Sequence, residues 1–216
     1  MKEKDTERKL TEAEQRRLDA FKVKSGELLS QGYEMEDLTV SPMKANTTGV
    51  LYGTLLALPF AVLFFLIADS SSMLRGEGFL FHYVMFFVVM FVLIVIHELI
   101  HGLTWSVSTE NGFRSIEFGV IWKTLNPYCT CSEPLTKSQY MAGLLMPCLL
   151  LGVVPCLISY FTRNLWLLAM GAVMIMSAGG DILIGTLLLR HRSRSDDLFL
   201  DHPTDIGLVC FRKKDS

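Results

Sequence analysis

Residues 79–101 read FLFHYVMFFVVMFVLIVIHELIH. Phe79–Ile96 is a run of 18 residues without a charged side chain, although it carries His82. An uncharged apolar run of about 18 residues is long enough to cross a hydrocarbon core of roughly 30 Å. One run of this kind also suits a buried core helix, so the decision rests on how many there are. Val50–Ala68 adds 19 uncharged residues, Tyr140–Phe161 adds 22, and Leu165–Leu189 adds 25 with one charge, Asp181. These four runs hold one charged side chain, and the remainder of the 216 residues holds 41 of the 42. Four such runs in so short a chain predict a polytopic membrane protein.

Composition agrees with that reading. Half the residues are apolar and 19% are charged, and the mean hydropathy of +0.37 excludes disorder as a global description. The net charge of −2 gives no basic excess for nucleic-acid binding and no acidic solvating tail. The first run begins near residue 50 behind a charged segment, which is not the pattern of a cleavable signal peptide. The five cysteines are odd in number and scattered, so they do not form a disulfide framework. Cys129-Thr130-Cys131 has ligand-like spacing but no second pair.

Four spans put both termini on one side. Nine Lys and Arg precede the first span and six lie from Arg190 onward, against one each at Arg75 and Arg163, so the expected side is the cytoplasm. The loop Gly102–Gln139, with three cations, is then expected on the same side. The expected location is the cell membrane.

The soluble pieces carry local signals. Thr11-Glu12-Ala13-Glu14 reads as a capping box, and Leu18, Phe21 and Leu28 follow at helical spacing, which predicts a helix to about Ser30. Gly32 ends it, and Tyr33–Val40 alternates as a short strand stopped by Pro42. Ile116, Phe118, Val120 and Trp122 alternate as a second strand. Asn126-Pro127 is a turn signal and Tyr128–Ser132 a returning strand. In the tail, Gly207-Leu208-Val209 predicts a short strand that covers the site's mouth or pairs with Tyr33–Val40. The expected fold class is an all-α membrane protein of four transmembrane helices, with a small cytoplasmic β-hairpin and a short N-terminal helix. The expected units are 1–46, a membrane core at 47–190 with the 102–139 loop inside it, and a tail at 191–216.

His97-Glu98-Leu99-Ile100-His101 closes the second apolar run. Histidines four apart stand on one helix face, one turn above the other, near enough to share a zinc ion. Glu98 sits beside that face, placed to take a proton from water activated by the metal. Two His and a Glu at the edge of a span are costly unless they have partners or a function. The alternative is that all three are interfacial side chains wetted at the end of the span.

Two histidines leave zinc short of ligands. A third histidine six residues on would mark a metzincin, but that position holds Val107. Asp181 is the strongest candidate. Phe79 to His97 is 18 residues and Leu165 to Asp181 is 16, on spans that run the same way. At about 1.5 Å per residue their depths agree within roughly one turn. Gly179 and Gly180 would let a neighbouring helix approach closely. The alternative for a lone buried aspartate is a role in helix packing or a proton relay, and Glu110, Glu117, Glu133 and His202 are weaker ligand candidates from the loop and the tail.

HELIH at the end of one span, with an aspartate in a later span, resembles the site-2-protease type of intramembrane zinc metalloprotease. The small four-span size, Gly32-Tyr33, HELIHG, the strand-rich loop and Gly180-Asp181-Ile182 resemble a bacterial family called putative zincin peptidases. Site-2 proteases carry Asn-Pro-Asp-Gly where this chain has Gly179-Gly180-Asp181-Ile182. The resemblance implies Zn²⁺ held by His97, His101 and Asp181 with Glu98 as base. It further implies hydrolysis of a membrane-embedded or membrane-adjacent polypeptide. Competing readings are an ion- or proton-relay transport component and a catalytically inactive membrane scaffold of the same fold.

Overall fold

The computed structural model describes residues 10–67, 79–121 and 126–214. Ala68, Arg75, Trp122 and Lys123, which entered the expectations above, lie outside the described residues. The fold is mostly helical, with two small antiparallel sheets.

Helix α1 (Glu12–Ser30) starts at the expected box: Thr11 accepts from the Glu14 amide at 3.3 Å, and Glu14 accepts from the Thr11 amide at 2.9 Å. Gly32, with φ +88°, takes the left-handed conformation that turns the chain into β1 (Tyr33–Val40). Helix α2 spans Pro42–Ile67 and α3 spans Phe79–Ser106. After a short 3₁₀ turn come β2 (Ile116–Ile121), β3 (Asn126–Cys131) and β4 (Leu135–Thr136). The third apolar run forms α4 (Lys137–Pro147), a π-helical turn at Cys148–Val153, and α5 (Val154–Thr162). Pro155 removes a backbone donor there, which accounts for the widened turn. The fourth run forms α6 (Leu165–Ser177) and α7 (Gly179–Arg190), and β5 (Leu198–Asp201) and β6 (Ile206–Lys213) close the chain.

Three helical segments are long and apolar enough to cross a membrane: Pro42–Ile67, Tyr83–Ser106 and Lys137–Thr162. The pair α6 and α7, bent by 48° at Ala178, makes a fourth if the two are taken as one broken span. Only 11% of the most apolar stretch of α3 is buried, with Phe87, Phe91 and Val95 on its exposed surface. A surface of that kind suits lipid rather than water, and the chain reads as a membrane protein.

Two expectations are corrected. The fold is not all-α: the four-stranded sheet β1-β6-β5-β4 joins the N-terminal segment, the residues before α4, and the tail. β1 and β6 pair along their full length, from Tyr33 opposite Lys213 to Val40 opposite Ile206. Asn126 and Pro127 do not form a turn but lie in the β2–β3 ladder opposite Ile121 and Val120. In a two-stranded ribbon each strand has a free edge, where a residue without an N–H is tolerated.

Strands β5 and β6 of the larger sheet are buried on both faces, while β1 leaves its middle residues exposed. Leu200, Val209 and Phe211 pack under α1 with Leu28, whereas Phe199, Leu208 and Cys210 pack against Trp105, Tyr140, Leu144 and Leu188 of the helices. Alternate residues of β5 and β6 thus tie α1 and the sheet to the ends of α3, α4 and α7. The ribbon β2–β3 lies along the end of α3, where Ile116 and Phe118 sit against Gly102.

Candidate metal centre

His97 and His101 stand one turn apart on α3, 6% and 4% exposed. Their Nε2 atoms are 3.1 Å apart. Asp181 Oδ2 lies 3.1 Å from Nε2 of His97 and 3.4 Å from Nε2 of His101. Asp181 arrives there because the fourth run breaks at Ala178, which puts the aspartate in the first turn of α7. A helix N-terminus favours an anion at that position. Gly49 and Gly53 of α2 let α7 and α6 approach backbone to backbone on either side of the break.

The three ligand atoms fit a metal. Bonds of about 2.0–2.2 Å in a tetrahedron set ligand atoms roughly 3.3–3.6 Å apart, close to the spacings seen. His101 donates from Nδ1 to the Gly143 carbonyl at 2.9 Å, so in its neutral form the ring turns a bare Nε2 lone pair to the other two groups. That tautomer follows from the hydrogen-bond network. Electron-pair donors crowded this closely in an apolar setting need a proton or a cation among them. Two imidazoles and one carboxylate form a donor set that suits zinc and leaves a coordination position open.

Glu98 is half-buried on the adjoining face, and its carboxylate has no hydrogen-bond partner among the described residues. The Nδ1 atom of His97 is likewise buried without a partner.

Trp105 was not singled out by the sequence, although it stands four residues beyond His101 on the same helix face. Its indole stacks on the His101 ring, centroids 5.3 Å apart and planes 17° apart. Its Nε1 donates to the Tyr140 carbonyl at 3.1 Å. Gly143 is required beneath it, because a Cβ there would overlap the indole.

The weaker candidates lie elsewhere. Glu133 is buried as a loop clamp, accepting from the amides of Glu110 (2.7 Å) and Asn111 (3.1 Å), the Asn111 side chain (2.7 Å) and the Ser115 hydroxyl (2.5 Å). These bonds hold its carboxyl below the usual range, against the opposing effect of burial. Glu117 faces Arg16 at 3.8 Å, and Glu110 is exposed. His202 Nδ1 accepts the Asp205 amide at 2.8 Å within its own turn. Burial pushes the Cys131 thiol up to about 12 and raises that of Cys129, which keeps both protonated.

A second group, His191, Asp197 and Cys210, also brings possible ligand atoms within 4.8 Å of one another. A cation is already there. Arg212 donates to Asp197 at 2.8 Å from Nη2 and lies 3.3 Å from His191 Nε2.

No curated protein and no solved structure matches the chain. One family does, over the segment that carries α3 from Met90, the ribbon and α4 to α7. Residues 90–195, with both histidines, Glu98 and Asp181 among them, match the model of a family described as "putative zincin peptidase".

Proposed function

We propose that the protein is an intramembrane zinc metallopeptidase that hydrolyses peptide bonds within or next to the bilayer. The observation that carries this is the convergence of Nε2 of His97, Nε2 of His101 and Oδ2 of Asp181, spaced 3.1–3.4 Å, on apolar helices. In this reading His97, His101 and Asp181 hold the zinc and Glu98 is the general base. Zinc supplies Lewis acidity, polarising a scissile carbonyl and acidifying water at the site.

Glu98 then takes a proton from the attacking water as its oxygen adds to the carbonyl carbon. The same carboxyl returns that proton to the nitrogen as the C–N bond breaks, leaving an amine and a carboxylic acid that then loses its proton to water. An otherwise unpartnered carboxylate suits both steps, because no fixed hydrogen bond competes for the proton. Gly143 and Trp105 hold the His101 ring so that Nε2, not Nδ1, faces the site. The surrounding helices limit bulk water, so an unfolded stretch of a membrane protein is the substrate the setting favours.

The test is cleavage of a membrane-spanning reporter polypeptide by protein purified in detergent. Wild type is expected to carry about one zinc and to cut, whereas Glu98→Gln keeps its zinc and does not. Zinc without any cleavage across a panel of reporters would instead favour the inactive scaffold.

A further inference from the structure

The matched segment ends at residue 195, yet the site is wired to a residue beyond it. Asp201, the last residue of β5, accepts the Tyr140 hydroxyl on Oδ1 and the Cys131 amide on Oδ2, the latter at 2.8 Å. Tyr140 is 3% exposed, and its ring lies 5.4 Å from the Trp105 indole. The Tyr140 carbonyl accepts Nε1 of Trp105, and Trp105 stacks on His101. Four side chains from β5, α4 and α3 therefore form one unbroken route from the soluble sheet to a ligand atom of the candidate centre.

We propose that Asp201 and Tyr140 are positioning residues of the zinc site, acting on His101 through Trp105, so that the C-terminal sheet is part of the catalytic apparatus. This rests on the metallopeptidase reading above. The physical reason is economy of freedom. The Gly143 carbonyl fixes where Nδ1 of His101 points, but one hydrogen bond leaves the ring free to tilt about it. Stacking on Trp105 removes that tilt only while the indole itself is held. The indole is held by the Tyr140 carbonyl, and Tyr140 is in turn pinned at its far end by Asp201. The Cys131 amide uses the other oxygen of the same carboxylate, so the ribbon is tied to the same point. Releasing either end of Tyr140 gives the Trp105–His101 stack room to shift, with every zinc ligand still present.

Tyr140→Phe removes one hydroxyl without changing shape, and Asp201→Asn keeps size while removing the charge. Asp197→Asn, which breaks the pair that buried Asp197 makes with the partly exposed Arg212 of β6, is the control for general loss of stability. Zinc affinity is measured by competition with a chromophoric chelator, and site geometry by the d–d absorption of the cobalt(II)-substituted protein. The expected result is a loss of affinity of about tenfold in Tyr140→Phe and Asp201→Asn, the lower end of what an outer-shell partner costs. An altered cobalt spectrum accompanies it, and the double variant is little worse than either single one, because both cut one route. Asp197→Asn keeps wild-type affinity and spectrum. Wild-type affinity and spectrum in both Tyr140→Phe and Asp201→Asn would overturn the proposal while leaving the peptidase reading intact. Wild-type protein that binds neither metal would overturn both.

Discussion

Gly179 of α7 meets Gly49 of α2 backbone to backbone: a Cβ on Gly49 would stand 3.2 Å from the Gly179 carbonyl carbon, and one on Gly179 would strike the Gly49 carbonyl. Two residues later the chain presents Asp181 to the histidines. The contact is thus the mechanical seat of the carboxylate, and small residues are what allow such close helix approach in a bilayer.

Gly179→Ala should therefore cost about 1–3 kcal/mol by overpacking and displace Asp181 as well. Thermal unfolding in detergent reports the first effect and zinc content the second. Gly180→Ala is the comparison, because a Cβ there meets nothing within 4 Å. It should be near neutral in both measurements.

Gly143→Ala keeps the carbonyl that holds His101 but drives a methyl into the Trp105 indole. We expect zinc affinity to fall by at least tenfold while helix content by circular dichroism stays unchanged. Intact affinity would show that the indole is not needed to orient the ring.

Acid should destabilise the sheet and the loop before β2. Burial alone would raise the carboxyl of Asp197, but hydrogen bonds from Arg212 and the Arg194 amide hold it below the ordinary value, and Glu133 is lowered by its own donors. A group whose folded pKa is depressed contributes stability above its unfolded pKa and loses it as pH falls through the folded one. For these two residues that loss begins near pH 4 and deepens below it. Melting temperatures from pH 7 to pH 3 should fall in that window. Asp197→Asn should flatten the fall and cost about 3 kcal/mol at pH 7, the lower figure for breaking a pair whose arginine is partly exposed.

The thiols of Cys129, Cys131 and Cys210 should be slow to alkylate at pH 8. Burial pushes Cys131 and Cys210 to about 12 and raises Cys129. Because the thiolate is the nucleophile, labelling of these three should become fast only on denaturation, as mass spectrometry would register.

The sequence spoke clearly where a signal is local or periodic. The Thr11 to Glu14 box, the bounds of β1 and the four apolar runs each follow from neighbouring residues. The histidine pair follows from helical spacing, and Asp181 from counting depth along two spans. What was hidden is of another kind. An unbroken apolar run conceals its own bend, so neither the 48° break at Ala178 nor the π turn after Pro147 showed. The ladder position of Pro127 depends on its being in a ribbon with open edges. Trp105, Tyr140 and Asp201 stand 35 and 61 residues apart along the chain, and only the folded sheet makes them neighbours.

Zinc content of the purified wild type beside His97→Ala, His101→Ala and Asp181→Ala tests the central claim most directly. About one zinc per chain in the wild type, lost in both histidine variants and weakened or lost in Asp181→Ala, is the predicted result. No zinc in a folded wild type, or full zinc in the variants, would contradict it.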